Sequence, residues 1–349
     1  GAFLNVKSLY HPIFEVVDQE SVDHGFFARF DYENGPFAFT LGGEARFGDV
    51  ESKRFINVAG KRGAPSFDAD QKARTANIYG EIRYSPVEEL TLIAGAIYAD
   101  GYRAQQENFN RFAGGPRDVY ARADFDEFSP KFGILYEPVP DIQFFANYSR
   151  SAEFPGFIEL AQESQFVPVD AQHAWTAEIG TRGKSSIISW DLALYRADVK
   201  DELLQFAPAQ DVTRLAATFN ADKTRHEGIE AALTVEPTDW LRIRQVYQFS
   251  DFQFRDDLTY NNNRLPVVPK HVYRAEVRFG SDKLHIAPNV EWVPEAAFAD
   301  YENQIRTSDY ALLGLTAGGR INEHFEFFLD VRNITKEKAI GDVSAVVSR

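Results

Sequence analysis

The sequence predicts an all-β protein, and within that class a transmembrane antiparallel β-barrel. Three observations carry the prediction. Apolar residues recur with period 2 rather than 3.6 along almost every segment. The alternating segments run to about ten residues, longer than the usual strand of a soluble sheet. Short, turn-like connections alternate with long ones, the asymmetry expected of a barrel with tight turns on one side of a membrane and long loops on the other. The pattern reads as one domain, 1–349, with about 16 strands.

The segments justify this in order. In Thr75–Tyr84, Ala76, Ile78, Gly80, Ile82 and Tyr84 form one face, and Thr75, Asn77, Tyr79, Glu81 and Arg83 the other. Asp141–Ser149 sets Ile142, Phe144, Ala146 and Tyr148 against Gln143, Asn147 and Ser149, with Phe145 the exception. Ser186–Tyr195 sets Ile188, Trp190, Leu192 and Leu194 against Ser189, Asp191, Ala193 and Tyr195. Lys270–Phe279 sets Tyr273, Ala275, Val277 and Phe279 against Val272, Arg274, Glu276 and Arg278. His324–Arg332 sets Phe325, Phe327, Leu329 and Val331 against Glu326, Phe328, Asp330 and Arg332. Full charges on one face and aromatics on the other suit a wet or plugged lumen inside and lipid outside. Alternation alone equally fits a soluble antiparallel sheet with one solvated face.

The connections favour the barrel. Turn chemistry marks Glu33-Asn34-Gly35, Ser85–Glu89, Glu137–Asp141, Arg182–Ser185, Glu236–Asp239, Gly280–Lys283 and Gly319–Asn322. Between them fall long connections at 49–73, 101–125, 151–172, 199–223, 254–269 and 295–307. Aromatics near strand ends read as interfacial girdles: Phe37, Phe39, Tyr79, Tyr84, Tyr136, Tyr148, Trp175, Trp190, Trp240 and Trp292.

Composition narrows the functions. The chain carries 37 basic and 52 acidic residues, a net charge of −15, which argues against a nucleic-acid binder. It contains no cysteine, so disulfides, thiolate metal sites and a cysteine nucleophile are excluded. No apolar run is long enough for a transmembrane helix, and Gly1–Asn5 does not read as a signal peptide. The seven histidines are scattered without metal-ligand spacing. No Gly-x-Ser-x-Gly nucleophile elbow occurs, and no enzyme is expected.

A series of motifs resembles the C-terminal part of the TonB-dependent outer-membrane receptors, of ferric-siderophore or ferric-citrate type. Phe128–Tyr136, Phe144–Ser151 and Phe154–Leu160 are similar to that family's Ser-Pro-Lys and Tyr-Ala-Asn-Tyr-Ser passage, with Glu153-Phe154-Pro155 in place of a more basic stretch. Glu178–Gly183, Trp190–Tyr195, Val199–Glu202, Asn220-Ala221, Thr224–Glu230, Leu265-Pro266, Val268–His271 and Val331–Thr335 follow in family order. The resemblance covers roughly 125–340. It implies the later part of a 22-stranded plugged barrel. A plug, an energy-coupling segment and a terminal aromatic are expected features that the sequence does not show; its last residues are Val343–Arg349.

The family resemblance implies energised uptake of an iron complex at the bacterial outer membrane. The implied partners are a ferric chelate, the periplasmic energy-coupling protein TonB and outer-membrane lipid, with no nucleic acid. It implies no cofactor, since iron arrives chelated as substrate. A passive porin, a soluble β protein or adhesin, and a receptor for haem, cobalamin or an oligosaccharide stay open. Ferric chelates are anionic, so basic and aromatic loop residues are the candidate binders. These are Tyr102, Arg103, Arg111, Phe112, Arg117, Tyr120 and Arg122 in 101–125, and Arg54 and Arg62 in 49–73.

Overall fold

The computed structural model describes residues 1–162, 165–206 and 217–340. Its strands are β1 (Ala2–Pro12), β2 (Glu15–Asn34), β3 (Phe37–Val58), β4 (Lys61–Val87), β5 (Leu90–Asn110), β6 (Gly115–Val139), β7 (Ile142–Glu153), β8 (Ala161–Gln162), β9 (Gln165–Phe166), β10 (Gln172–Lys184), β11 (Ile188–Phe206), β12 (Ala217–Thr238), β13 (Leu241–Phe254), β14 (His271–Ser281), β15 (Leu284–Val293), β16 (Tyr310–Asn322) and β17 (Phe325–Val331). One short helix, α1, spans Phe157–Leu160. Among the described residues, β1–β7 and β10–β17 form one sheet of 15 strands in chain order, every neighbour antiparallel; β8 and β9 form a separate ribbon. This meander is the fold the alternation predicts.

The strands are longer than expected. Segments 49–73 and 101–125 are not loops: β3 and β4 pair from Phe37–Tyr84 to Val58–Lys61, and β5 and β6 from Leu90–Tyr136 to Asn110–Gly115. At 27 residues, β4 reaches about 90 Å. Beyond the apolar band both faces of these hairpins carry polar residues. The backbone ladder therefore continues where the hydropathy signal stops. Ala59-Gly60 closes β3 on β4, where Gly60 has φ +83, and the four residues Arg111 to Gly114 close β5 on β6. The connection at 199–223 is likewise shortened, with β11 ending at Phe206 and β12 starting at Ala217. The terminal residues Val343–Arg349 lie outside the described residues.

Register fixes the two faces. One face of the lower sheet is apolar and open to the surroundings: Phe30, Leu41, Ile82, Phe132, Phe144, Ile179 and Leu194 are all exposed. Girdle aromatics pair along it, Phe37 with Tyr84 at 4.6 Å and Tyr148 with Trp175 at 4.8 Å. Tyr79 is the exception among the girdle residues. It belongs to the opposite face and its ring lies where a Cβ on Gly42 would stand, so only glycine admits it.

The opposite, inner face is a lattice of charges. Asp31 accepts from Arg29 at 2.8 Å and from Thr40 at 2.6 Å. Glu44 accepts from Arg46 and Asn77, both at 3.0 Å. Glu81 bridges Arg83 at 2.7 Å and Lys131. Glu291 takes Arg274 at 2.7 Å and the Tyr310 hydroxyl. A cavity of about 990 Å³ is lined by residues from β2 to β13, among them the inner-face Arg83, Asn147, Glu178, Arg182, Glu230 and Gln248. A compact apolar core sits elsewhere, at the long-connection end, where Ala221 of β12 and Phe254 of β13 meet Tyr260, Leu265 and Tyr301 of the connections.

Candidate functional site

The long-connection end of the inner face gathers the cations a binding site would need. Arg103, on upper β5, faces inward beside Thr75. Its Nη1 donates to the carbonyls of Arg74 at 3.0 Å and Tyr102 at 2.9 Å and to the Thr75 hydroxyl at 3.2 Å. Among the described residues it has no carboxylate partner, and burial lowers its pKa from the ordinary arginine value. Arg117 reaches Glu107 at 3.1 Å, an acid only 3% exposed. Arg54 lies over the Phe67 ring at 4.8 Å. Below these, Gln71 and Gln105 share a buried hydrogen bond of 2.8 Å.

A strap crosses this face. After β7 the chain turns inward, and Phe154 stacks on Phe125 at 5.4 Å. Its ring sits 3.4 Å from where a Cβ on Gly101 would be. Pro155 and Leu160 are fully buried. The far end is held by Asn220 of β12: its Oδ1 accepts from the Asp170 amide at 2.8 Å and its Nδ2 donates to the Asp170 carbonyl at 3.0 Å. The strap therefore spans from β5–β6 to β12, passing the intervening strands.

Beside the strap's far end, two connections and the upper ends of β11, β12 and β13 form one block. Phe254, Tyr260 and Tyr301 pack ring to ring, 4.9 to 5.7 Å apart, and Phe219 meets Tyr301 edge-on at 5.7 Å. Asn263 donates to the Tyr301 carbonyl, while Asn303 accepts from the Arg264 amide and donates to its carbonyl, all at 2.8 Å. The Tyr301 hydroxyl donates to the Gln205 carbonyl at 2.7 Å, and burial pushes its pKa above the ordinary tyrosine value. Arg264 enters the same block between Asp251 and Glu295.

The nine sequence candidates divide by parity. Arg54, Arg103 and Arg117 lie toward the inner face. Tyr102, Tyr120 and Arg122 share the parity of Tyr98 and Phe128 and stand on the outer wall; Arg122 covers the Tyr102 ring at 4.1 Å and grips Asp124. Hydrogen bonding to Asp124 raises the Arg122 pKa, and the same bond lowers that of Asp124. Arg62 also stands on the outer wall, between Tyr10 and Phe55 and paired with Asp18 at 2.5 Å. Arg111 and Phe112 occupy the hairpin tip, in a single 3-10 turn capped by Asn110. Counting parity upward from Tyr98 or Phe128 would have separated these groups from the sequence. The residues that sequence reasoning missed are Arg264 and the Phe254–Tyr260–Tyr301 block, which no periodicity marks.

Comparison with known proteins agrees with this architecture. The family profile described as "TonB dependent receptor-like, beta-barrel" matches residues 7–334. A ferric-pyoverdine 358 receptor of Pseudomonas putida is 21% identical over 285 residues, covering 78% of this chain and 33% of the relative. The metal-pseudopaline receptor CntO of Pseudomonas aeruginosa is 24% identical over 215 residues, covering 59% of this chain and 29% of its own length. The ferric citrate transporter FecA, in its unliganded form, superposes with a TM-score of 0.75 at 17% identity, over 96% of this chain and 53% of that one. The chain thus spans about a third of the length of these curated relatives and about half of the solved structure. With sheet order, register and profile in agreement, the chain belongs to the TonB-dependent receptor-like β-barrel family.

Proposed function

We propose that this chain is the barrel part of a bacterial outer-membrane receptor for energised uptake of an anionic iron chelate, coupled through TonB in the periplasm. Family membership supports the class, and the relatives' names, ferric-pyoverdine and metal-pseudopaline receptor, support a chelated metal as cargo. The observation that carries the substrate's charge is Arg103. It is half-buried, faces the lumen, and bonds only to carbonyls and a hydroxyl. Such a guanidinium is available for charge-assisted bonds to a carboxylate or catecholate oxygen of a chelate. Arg117 and the strap ring Phe154 flank it. Arg111 and Phe112, at the hairpin tip, make first contact. Tyr102, Tyr120, Arg122 and Arg62 face outward and serve the outer wall. No bond in the chelate is made or broken, and iron is cargo rather than cofactor.

Growth of a deletion strain on a panel of ferric chelates tests the proposal. One chelate should fail to support growth, and the intact gene should restore it, while Arg103→Gln should restore it only at several-fold higher chelate concentration. If the deletion strain takes up every iron complex normally, the iron assignment is wrong. Free permeation of sugars through the intact full-length protein in liposomes would instead point to a passive channel.

A further inference from the structure

Arg54 is the cation whose surroundings are hardest to reconcile with an empty wall. It sits in one cross-strand row with Phe67 of β4 and Asn110 of β5. Side chains of one row leave the same face of a sheet. Phe67 is 5% exposed and Asn110 fully buried. Phe67 offers its ring to the guanidinium at 4.8 Å but no lone pair. Among the described residues no carboxylate lies within ion-pair distance of Arg54, although Glu15 acts on it from further away. Burial pushes its pKa down, the sign of a guanidinium partly withdrawn from water, and Glu15 only partly offsets this.

Two further polar groups share the predicament. The Asn110 side chain spends its Oδ1 as an acceptor for the Phe112 amide at 3.0 Å, which leaves Nδ2 as a buried donor with no partner. Ser66, the extra residue of the β3–β4 bulge beside Phe67, is 1% exposed with its hydroxyl unpartnered. Arg54 Nε is a third such donor. Buried polar groups are ordinarily hydrogen-bonded, and leaving them unpartnered is unfavourable. All three residues can donate, and one is cationic. The acid of the adjoining row, Glu107, is already engaged by Arg117 at 3.1 Å and so does not neutralise Arg54.

We infer that Arg54, Asn110 and Ser66 form an oxyanion subsite in the wall of the upper β3–β4–β5 hairpins, one that takes a carboxylate or phosphate oxygen. A guanidinium with one face on an aromatic ring keeps its edge for in-plane bonds to an oxyanion. The inference rests on the reading of this end of the barrel as the place where an anionic chelate arrives. A chelate arm ending in a carboxylate and a small free anion present the same chemistry, and the experiment separates them.

The full-length protein in detergent micelles, at constant ionic strength, is heated with increasing sodium citrate, ferric citrate, sodium phosphate or, as reference, sodium chloride. A ligand that binds only the folded state raises the melting temperature with the logarithm of its concentration. The wild type should respond to citrate or phosphate and not to chloride. A response to ferric citrate at tenfold or more lower concentration than to phosphate identifies a chelate arm; the reverse order identifies a free anion. Arg54→Gln should lose the response, and Arg54→Lys should keep a weakened one. Asn110→Asp retains the acceptor for Phe112 but sets a carboxylate in the Arg54 row. It should abolish the response and raise the melting temperature in chloride. Arg122→Gln, on the outer wall, should leave the phosphate response intact. Should Arg54→Gln and Asn110→Asp respond like the wild type, no oxyanion binds there. Anion binding through Arg54 without uptake in cells would sink the receptor proposal alone, and uptake without Arg54-dependent binding would sink this one alone.

Discussion

Phe132 lies at the centre of the outward run Phe128, Pro130, Phe132, Ile134 and Tyr136 on β6, in one row with Ala94 of β5 and Tyr148 of β7. It is 56% exposed in the isolated chain. If that face meets lipid, Phe132→Arg places a charge at mid-depth of the hydrocarbon. The cost there is about 2–4 kcal/mol, a shift of roughly 30- to 1,000-fold in the folding equilibrium. Phe128→Arg, at the end of the same run, should cost only about 0–1 kcal/mol, because the penalty falls toward the interface. Asn147→Arg faces inward beside Glu178, whose carboxylate Asn147 now contacts at 3.2 Å. A new ion pair in that wet lumen should hold its cost below about 1 kcal/mol. Urea titration of the full-length protein in phospholipid vesicles, followed by tryptophan fluorescence, measures all three. The depth profile is the decisive readout. If the three arginine variants fall within error of one another, the outer face does not meet lipid and the membrane barrel is wrong.

Further outcomes follow from the same geometry. Gly101→Val would set a side chain against the Arg74 carbonyl, 2.6 Å from the Cβ position, and press on Phe154; protease cleavage within 154–170 should accelerate several-fold while the rest of the chain stays resistant. Phe254→Ala empties the centre of the aromatic block, where Phe254 is 0% exposed, at a local cost of about 3–5 kcal/mol. Hydrogen exchange should quicken in 255–270 and 294–309 together and not in β14. Glu81→Gln leaves Arg83 and Lys131 facing each other without their shared acid, and melting temperature should fall by a few degrees, less at high salt. Asp201 has its pKa raised chiefly by burial, so its contribution is fully present below the ordinary carboxylate pKa and lost as pH rises through the raised value. Asp201→Asn should therefore melt higher than the wild type at pH 7 and equal it under acid conditions; a difference independent of pH refutes the assignment.

How much was legible in the sequence depended on what each face touches. Along Thr75–Tyr84 one face meets an apolar medium and the other a polar one, so alternation reports both the strand and its orientation. At Asp68–Arg74 the same strand continues, but Asp70 and Lys72 on one face and Asp68 and Ala73 nearby carry no contrast, and the reading stops at the end of the greasy band. The nine candidate residues were chosen by residue type within supposed loops. Type cannot tell Arg103 from Arg122. They sit on the same hairpin, and only the strand register shows that one looks into the lumen and the other away from it. The Phe254–Tyr260–Tyr301 block was illegible for another reason: its members join across as many as 47 residues of sequence through ring contacts, which leave no local pattern.

The wall's two chemistries divide the work between stability and selection. The lower inner face is almost fully self-paired: Glu81 satisfies Arg83 and Lys131, Asp31 satisfies Arg29, and Glu291 satisfies Arg274. Paired charges on a wet wall hold shape without a preference for any passing anion, since these cations already have their acids. Among the described residues, Arg182 is a low exception that donates to Gln143 instead of an acid, and higher up Arg103 bonds to carbonyls while Arg54 lies over an aromatic ring. An anion arriving at the long-connection end therefore meets the free guanidinium groups first, at the level of the strap, and the neutralised lattice afterwards. On the proposed function, affinity would lie mainly at the mouth rather than in the passage below, the order a transporter needs if its cargo is to be captured and then released. On the same reading, removing Glu81 or Glu291 would free further cations low in the lumen and weaken that order.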